Sequence, residues 1–117
     1  MKKHKLDLEK EQYSEEELEE NCHLFDIYDW IYISWKQKLS EKFIEKHKNK
    51  VSWGHLCSNQ KLSEEFIEKY QDNVYWDIIS YNQKLSEEFI KKHFDKLYLN
   101  SLILNKNISN KIKEEII

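Results

Sequence analysis

The 117-residue sequence contains no arginine, proline, alanine or threonine, and a single glycine, Gly54. Phosphate-cradling loops of the G-x-G-x-x-G and G-x-x-x-x-G-K-[ST] kinds need glycine where backbone must approach the ligand. One glycine supplies neither, so nucleotide-binding folds of those types are excluded. Without arginine there is no bidentate guanidinium clamp, and the commonest specific base contact is lost. The two cysteines, Cys22 and Cys57, form no C-x-x-C pair and no disulfide framework, which points to a reducing compartment. No run approaches the roughly 18 apolar residues of a spanning helix and no charged-then-apolar leader opens the chain. The expectation is a soluble, cytoplasmic protein without membrane contact.

In place of the missing residues stand 19 lysines, 13 isoleucines and nine asparagines. Such codons are AT-rich, which suggests an AT-rich genome. The net charge of -3 is uneven: residues 1–29 carry ten acids and four lysines, residues 30–117 twelve acids and fifteen lysines.

A repeat dominates the chain. Ser40-Glu41-Lys42-Phe43-Ile44-Glu45-Lys46-His47 recurs from Ser63 and again from Ser86, a period of 23 residues. Trp30, Trp53 and Trp76 correspond to Leu99, and Leu39, Leu62 and Leu85 to Ile108. The units are therefore 30–52, 53–75, 76–98 and a shortened 99–117, forming one repeat domain, 30–117, behind an acidic N-terminal cap, 1–29. Within that cap Ser14 to Leu24 reads as a degenerate second half of a unit.

Each unit reads as two short helices. Leu62, Ser63 and Ile67 have the layout of an N-cap serine inside a hydrophobic staple, with acids at the positive end of the helix dipole. Leu39/Ser40/Ile44 and Leu85/Ser86/Ile90 repeat it. The first halves use the same signals at Val51/Ser52/Leu56 and Tyr28/Asp29/Ile33. Val74/Tyr75/Ile79 and Leu97/Tyr98/Leu102 keep the staple without the cap, which predicts weaker or shifted starts. Helices of about two turns do not persist alone in water, so stability must come from stacking of their apolar stripes. The predicted fold class is all-α, a small right-stacked solenoid of short helix-turn-helix repeats. The alternative is a β/α solenoid with Val74 to Ser80 as a strand.

The pattern W-x-x-I-S-x-x-Q-K-L-S-E-E-F-I-E-K-Y, carried by Trp76, Ile79, Ser80, Gln83, Lys84, Leu85, Ser86, Glu87, Glu88, Phe89 and Ile90 and by its copies, resembles short repeats in uncharacterised proteins of giant viruses, phages and AT-rich bacteria. The resemblance covers residues 30 to about 112 and implies no reaction, cofactor or catalytic residue. Gly54, His55 and Cys57, and Tyr98-Leu99, depart from it.

Candidate sites are few. His47, Tyr70 and His93 share one repeat position on the core side of the second helix, as packing residues or as a metal-binding ladder. Cys22-His23 and His55-x-Cys57 lack zinc-site spacing. No catalytic, cofactor or metal residue is therefore assigned, and the chain is expected not to be an enzyme. The triplets Lys36-Gln37-Lys38, Asn59-Gln60-Lys61, Asn82-Gln83-Lys84 and Asn105-Lys106-Asn107 fall at the turn between the two helices. They form either a polar recognition edge, with Trp35 and Tyr81 beside it, or plain helix ends where Asn takes the left-handed conformation and Lys meets the helix dipole. Lys36, Lys38, Asn59, Lys61, Asn82 and Lys84 are its candidate binding residues. Glu15, Glu16, Glu17, Glu19 and Glu20 are either a solvated cap or an acidic surface that fills a partner's basic groove.

The function expected from these residues is a non-enzymatic protein-binding module. Its concrete form is a viral or phage inhibitor of a host factor such as an RNA-guided defence nuclease. The alternative is RNA or single-stranded DNA binding along the Lys/Asn/Gln edge, with Trp35 or Tyr81 stacking on bases. The missing arginines and the negative charge weigh against it.

Overall fold

The serine signals act where the sequence places them. In the computed structural model, which describes residues 3–116, Ser14, Ser40, Ser63 and Ser86 sit in extended backbone, and each hydroxyl accepts a backbone N–H three residues on. They open α1 (Glu15–Asn21), α3 (Glu41–Lys46), α5 (Glu64–Lys69) and α7 (Glu87–Lys92). Alternating with these are α2 (Ile27–Lys36), α4 (Trp53–Asn59), α6 (Trp76–Asn82) and α8 (Leu99–Leu104), and α9 (Asn110–Ile116) follows. Among the described residues there is no strand, so the fold is all-α and built of short helical repeats. The Val74 to Ser80 segment weighed as a strand is the entry and body of α6. Met1, Lys2 and Ile117, the outermost positions of the expected cap and last unit, lie outside the described residues.

The chain forms two compact units, 1–60 and 61–117. Their boundary falls inside the second repeat, between α4 and α5. In the first unit α2 packs on α4; in the second α6 packs on α8. Each core is the expected pair of stripes: Leu18, Ile33, Ile44 and Leu56 have no exposure in the first unit, nor do Ile67, Ile79, Ile90 and Leu102 in the second.

The first helices start differently from expectation. Asp29 is not the cap of α2; it is the third residue of a helix that begins one turn earlier, where Asp26 and Asp29 form a reciprocal capping box. Ser52 caps α4 only by position, since its hydroxyl turns to His55 Nδ1 at 2.7 Å. Tyr75 and Tyr98 also occupy N-cap positions, and α6 and α8 are not shifted by lacking a side-chain cap. At α4 and α8 help comes from the preceding repeat instead. Ser34 Oγ accepts the Ser52 N–H at 2.9 Å while donating to Trp30 O, and Ser80 Oγ does the same for Tyr98 while donating to Trp76 O.

Residues 4–13 fill the place of a first helix without being one. The carbonyls of Leu8 and Glu11 accept from the Gln37 amide as those of Ser34 and Gln37 accept from Gln60. Tyr13 N–H donates to Gln37 Oε1 as Leu39 N–H donates to Gln60 Oε1. The equivalence continues through Ser14 with Ser40 and buried Leu18 with buried Ile44, all at a separation of 26 residues. The expected acidic cap is thus a complete degenerate repeat. Its three additional residues lie between α1 and Trp30, where they lengthen α2 to ten residues against seven in α4 and α6.

Candidate functional site

The turn between the two helices of a repeat is where the sequence places a recognition edge, and the structure divides its residues into two groups. The amides face inward: Gln37, Gln60, Gln83 and Asn105 are all buried. Gln60 Nε2 donates to Ser34 O at 3.0 Å and to Gln37 O at 2.6 Å, and its Oε1 accepts Leu39 N–H. Gln83 Oε1 accepts Leu62 N–H. Asn105 donates to Ser80 O and Gln83 O, both at 2.8 Å.

These carbonyls end the previous first helix, where four C=O groups lack intrahelical partners. The amide therefore caps its neighbour's helix, and the expected Lys/Asn/Gln reading edge loses its glutamines. The other account of the turn is corrected too. No described residue has positive φ, and Gln37, Gln60 and Gln83 leave their helices in extended backbone. Helix closure here uses side-chain amides, not left-handed asparagine.

The remaining edge residues are outside. Lys36, Lys38, Asn59, Lys61 and Lys84 are exposed and Asn82 is half-buried. Asn59 and Asn82 fold back onto His55 O and Ile78 O of their own helices. Trp35 and Tyr81 are 41% and 49% exposed. In the first unit Trp35 lies against Tyr32 with centroids 6.0 Å apart, beside His55 at 5.9 Å, with Lys36 Nζ 4.2 Å from its own ring centroid.

The acidic run is similarly divided. Glu15 accepts the Ser40 N–H at 2.6 Å and its hydroxyl at 2.7 Å, Glu17 completes the capping box of Ser14, and Glu19 receives Lys46 at 3.0 Å and His47 Nε2 at 2.6 Å. Glu16 and Glu20 remain exposed. Burial pushes the Glu19 carboxyl up, but the hydrogen bonds and charges of His47 and Lys46 outweigh it and hold the group below its ordinary value.

In the second unit Glu64 holds Ser86 in the same way. Glu68, lowered chiefly by the hydrogen bond from His93, receives His93 and Lys92. A cleft of about 240 Å³ along α5 and α7 is lined by Glu64, Glu65, Glu68 and Glu88, two of which are occupied by these contacts. His47 and His93 lie on the core side as expected, each against the Trp of its own repeat: Trp30 at 5.0 Å and Trp76 at 5.5 Å.

His4 was not singled out by the sequence. Its ring is buried, accepts Leu6 N–H at Nδ1 and meets Phe25 edge-on. Nε2 is 3.1 Å from Asp29 Oδ2 but off the hydrogen-bond axis. No local signal marks it, because its equivalence to Trp30 emerges only at the 26-residue separation.

Among the described residues no group of three or more His, Cys, Asp and Glu is placed to hold a metal ion, and no helix is long and apolar enough to cross a membrane. No protein-family model matches the chain, and no curated protein or solved structure matches it either.

Proposed function

We propose that the chain is a non-enzymatic protein-binding repeat module whose partners dock on the outer surface of its first helices. The observation that carries this reading is the division of charge between the two kinds of helix. α4, α6 and α8 contain one charged residue between them, Asp77, whereas α3, α5 and α7 each carry four in six positions. Around the charged helices, acids and lysines are engaged with neighbouring repeats, as at Glu19 and Glu68. The outward side of the first helices instead exposes Tyr28, Trp35, Tyr81 and Leu104. Exposed apolar surface of this kind favours protein partners, with aromatic residues as anchors. The buried glutamines weigh against base reading along the same edge.

The narrower version is a viral or phage inhibitor of a nucleic-acid-targeting host nuclease. It draws on the repeat resemblance and on Glu16, Glu17 and Glu20, which remain exposed at the head of the chain. The test is capture from host lysate by the wild-type protein and by the double variant Trp35→Asp, Tyr81→Asp. A stoichiometric protein retained by the first and lost with the second is expected; recovery of none by the wild type rejects the reading.

A further inference from the structure

Every turn between the two helices of a repeat ends in the same way, with a buried amide followed at once by an exposed lysine. Gln37, Gln60, Gln83 and Asn105 are buried, and Lys38, Lys61, Lys84 and Lys106 are exposed. Because Asn105 is the amide of its turn, Lys106 stands in the register of the other three. Among the described residues no hydrogen bond or ion pair engages these four ammonium groups. The second helices differ: Lys46 is paired with Glu19, Lys91 with Glu87 and Lys92 with Glu68.

The fold does not require the charge. Each lysine is the first residue beyond a helix C-cap and stands shortly before the serine that caps the next helix. The negative end of one dipole and the positive end of the other act on it in opposition. At the end of α6 the carbonyls a lysine could approach already receive the Asn105 amide.

Within residues 61–117 these lysines form a row. Leu62 N–H donates to Gln83 Oε1 at 3.0 Å, and Asn105 Nδ2 donates to Gln83 O at 2.8 Å. The backbones that carry Lys61, Lys84 and Lys106 are thus tied side by side, one per repeat, at the roughly 8–10 Å separation of packed helices. Residues 1–60 carry a single member, Lys38, whose N–H donates to Gln12 in the preceding place.

The spacing selects the counter-charge. A polyproline II helix has three residues per turn and rises about 3.1 Å per residue, so acids at every third position lie on one face about 9 Å apart. In a β-strand every third side chain falls on the opposite face. A nucleic-acid strand is charged at every nucleotide and would set phosphates against Glu65 and Glu88, exposed in the first turns of α5 and α7. We infer that Lys61, Lys84 and Lys106 bind an acidic polyproline II segment of a protein partner, with one carboxylate at every third residue. The row lies at the helix turns and is a site apart from the first-helix surface.

Anisotropy of a labelled peptide of three Glu-Pro-Pro units, titrated with the full chain at low salt, tests the assignment. Binding is expected, weakened by added salt. It should be at least about tenfold tighter than for a peptide of the same composition with its three glutamates adjacent. Exposed ion pairs are individually weak, so Lys84→Gln should lower affinity about threefold. The triple variant Lys61→Gln, Lys84→Gln, Lys106→Gln should lose binding with its helical circular dichroism retained. Lys91→Gln, which removes a paired lysine, and Trp35→Asp should bind as the wild type does. No binding of the spaced peptide, equal binding of the two peptides, or undiminished binding by the triple variant overturns the inference. Loss of binding with Trp35→Asp does so too, by assigning the peptide to the first-helix surface. Tighter binding of an oligouridine RNA, lost in the triple variant, would overturn it by making the row a phosphate-tracking edge.

Discussion

Gln37 shows how much one side chain does in this chain. Its amide serves Leu8 O, Glu11 O and Tyr13 N–H, so replacing it with leucine leaves three backbone groups to water or to nothing. At about 1 kcal/mol for each, partly recovered by hydration near the surface, Gln37→Leu should cost about 2–3 kcal/mol in urea unfolding. Hydrogen exchange should quicken in residues 4–13. The role of the glutamines was hidden because their partners stand more than twenty residues away. An amide between lysines and asparagines reads locally as a solvated turn. The capping serines were legible for the opposite reason: hydroxyl and target N–H lie three residues apart, within a single sequence window. His47 was legible as a core-side residue, but its partner Glu19 was not.

At the level of the element, the period fixed the second helices and misled about α2. A 23-residue register puts the helix start beside Trp30, and Asp29 is a credible cap there. The actual start is Asp26, because three additional residues are most cheaply accommodated as one further turn. Asp26→Ala should therefore destabilise the protein by about 1 kcal/mol, whereas Asp26→Asn should be nearly neutral at neutral pH. Thermal unfolding of the two variants separates a cap from a mere surface charge. The other departure is at α8, which ends one residue early so that Asn105, shorter than glutamine, reaches the same kind of carbonyls. Its N–H bonds Leu102 O, a tighter closure than the Gln83 N–H to Ile79 O bond of α6. Sequence alignment alone pairs Lys106 with the glutamines and misses this.

For the whole molecule, stability is carried between repeats and responds to acid. Glu19 in the first unit and Glu68 in the second have lowered pKa values, so the unfolded chain takes up their protons first as pH falls. Their contribution is complete above the ordinary glutamate value of 4.5 and is lost as pH falls through the lower folded values. Urea midpoints measured down through that range should decline. Glu19→Gln should be less stable at neutral pH and show a shallower decline. The fold class was legible at this scale because periodicity survives substitution. The division at residues 60 and 61 was not, since it depends on packing density and no change of composition marks it.

The amide ladder also bears on how such a chain can change over generations. Gln37, Gln60 and Asn105 recognise main-chain carbonyls, which every residue possesses, so these junctions between repeats are indifferent to most of the side chains around them. Surface residues can diverge from copy to copy while the joint remains the same, and even an irregular strap such as residues 4–13 can occupy a place made for a helix. Binding specificity and architecture are thereby written in separate positions, and one can be rewritten without disturbing the other.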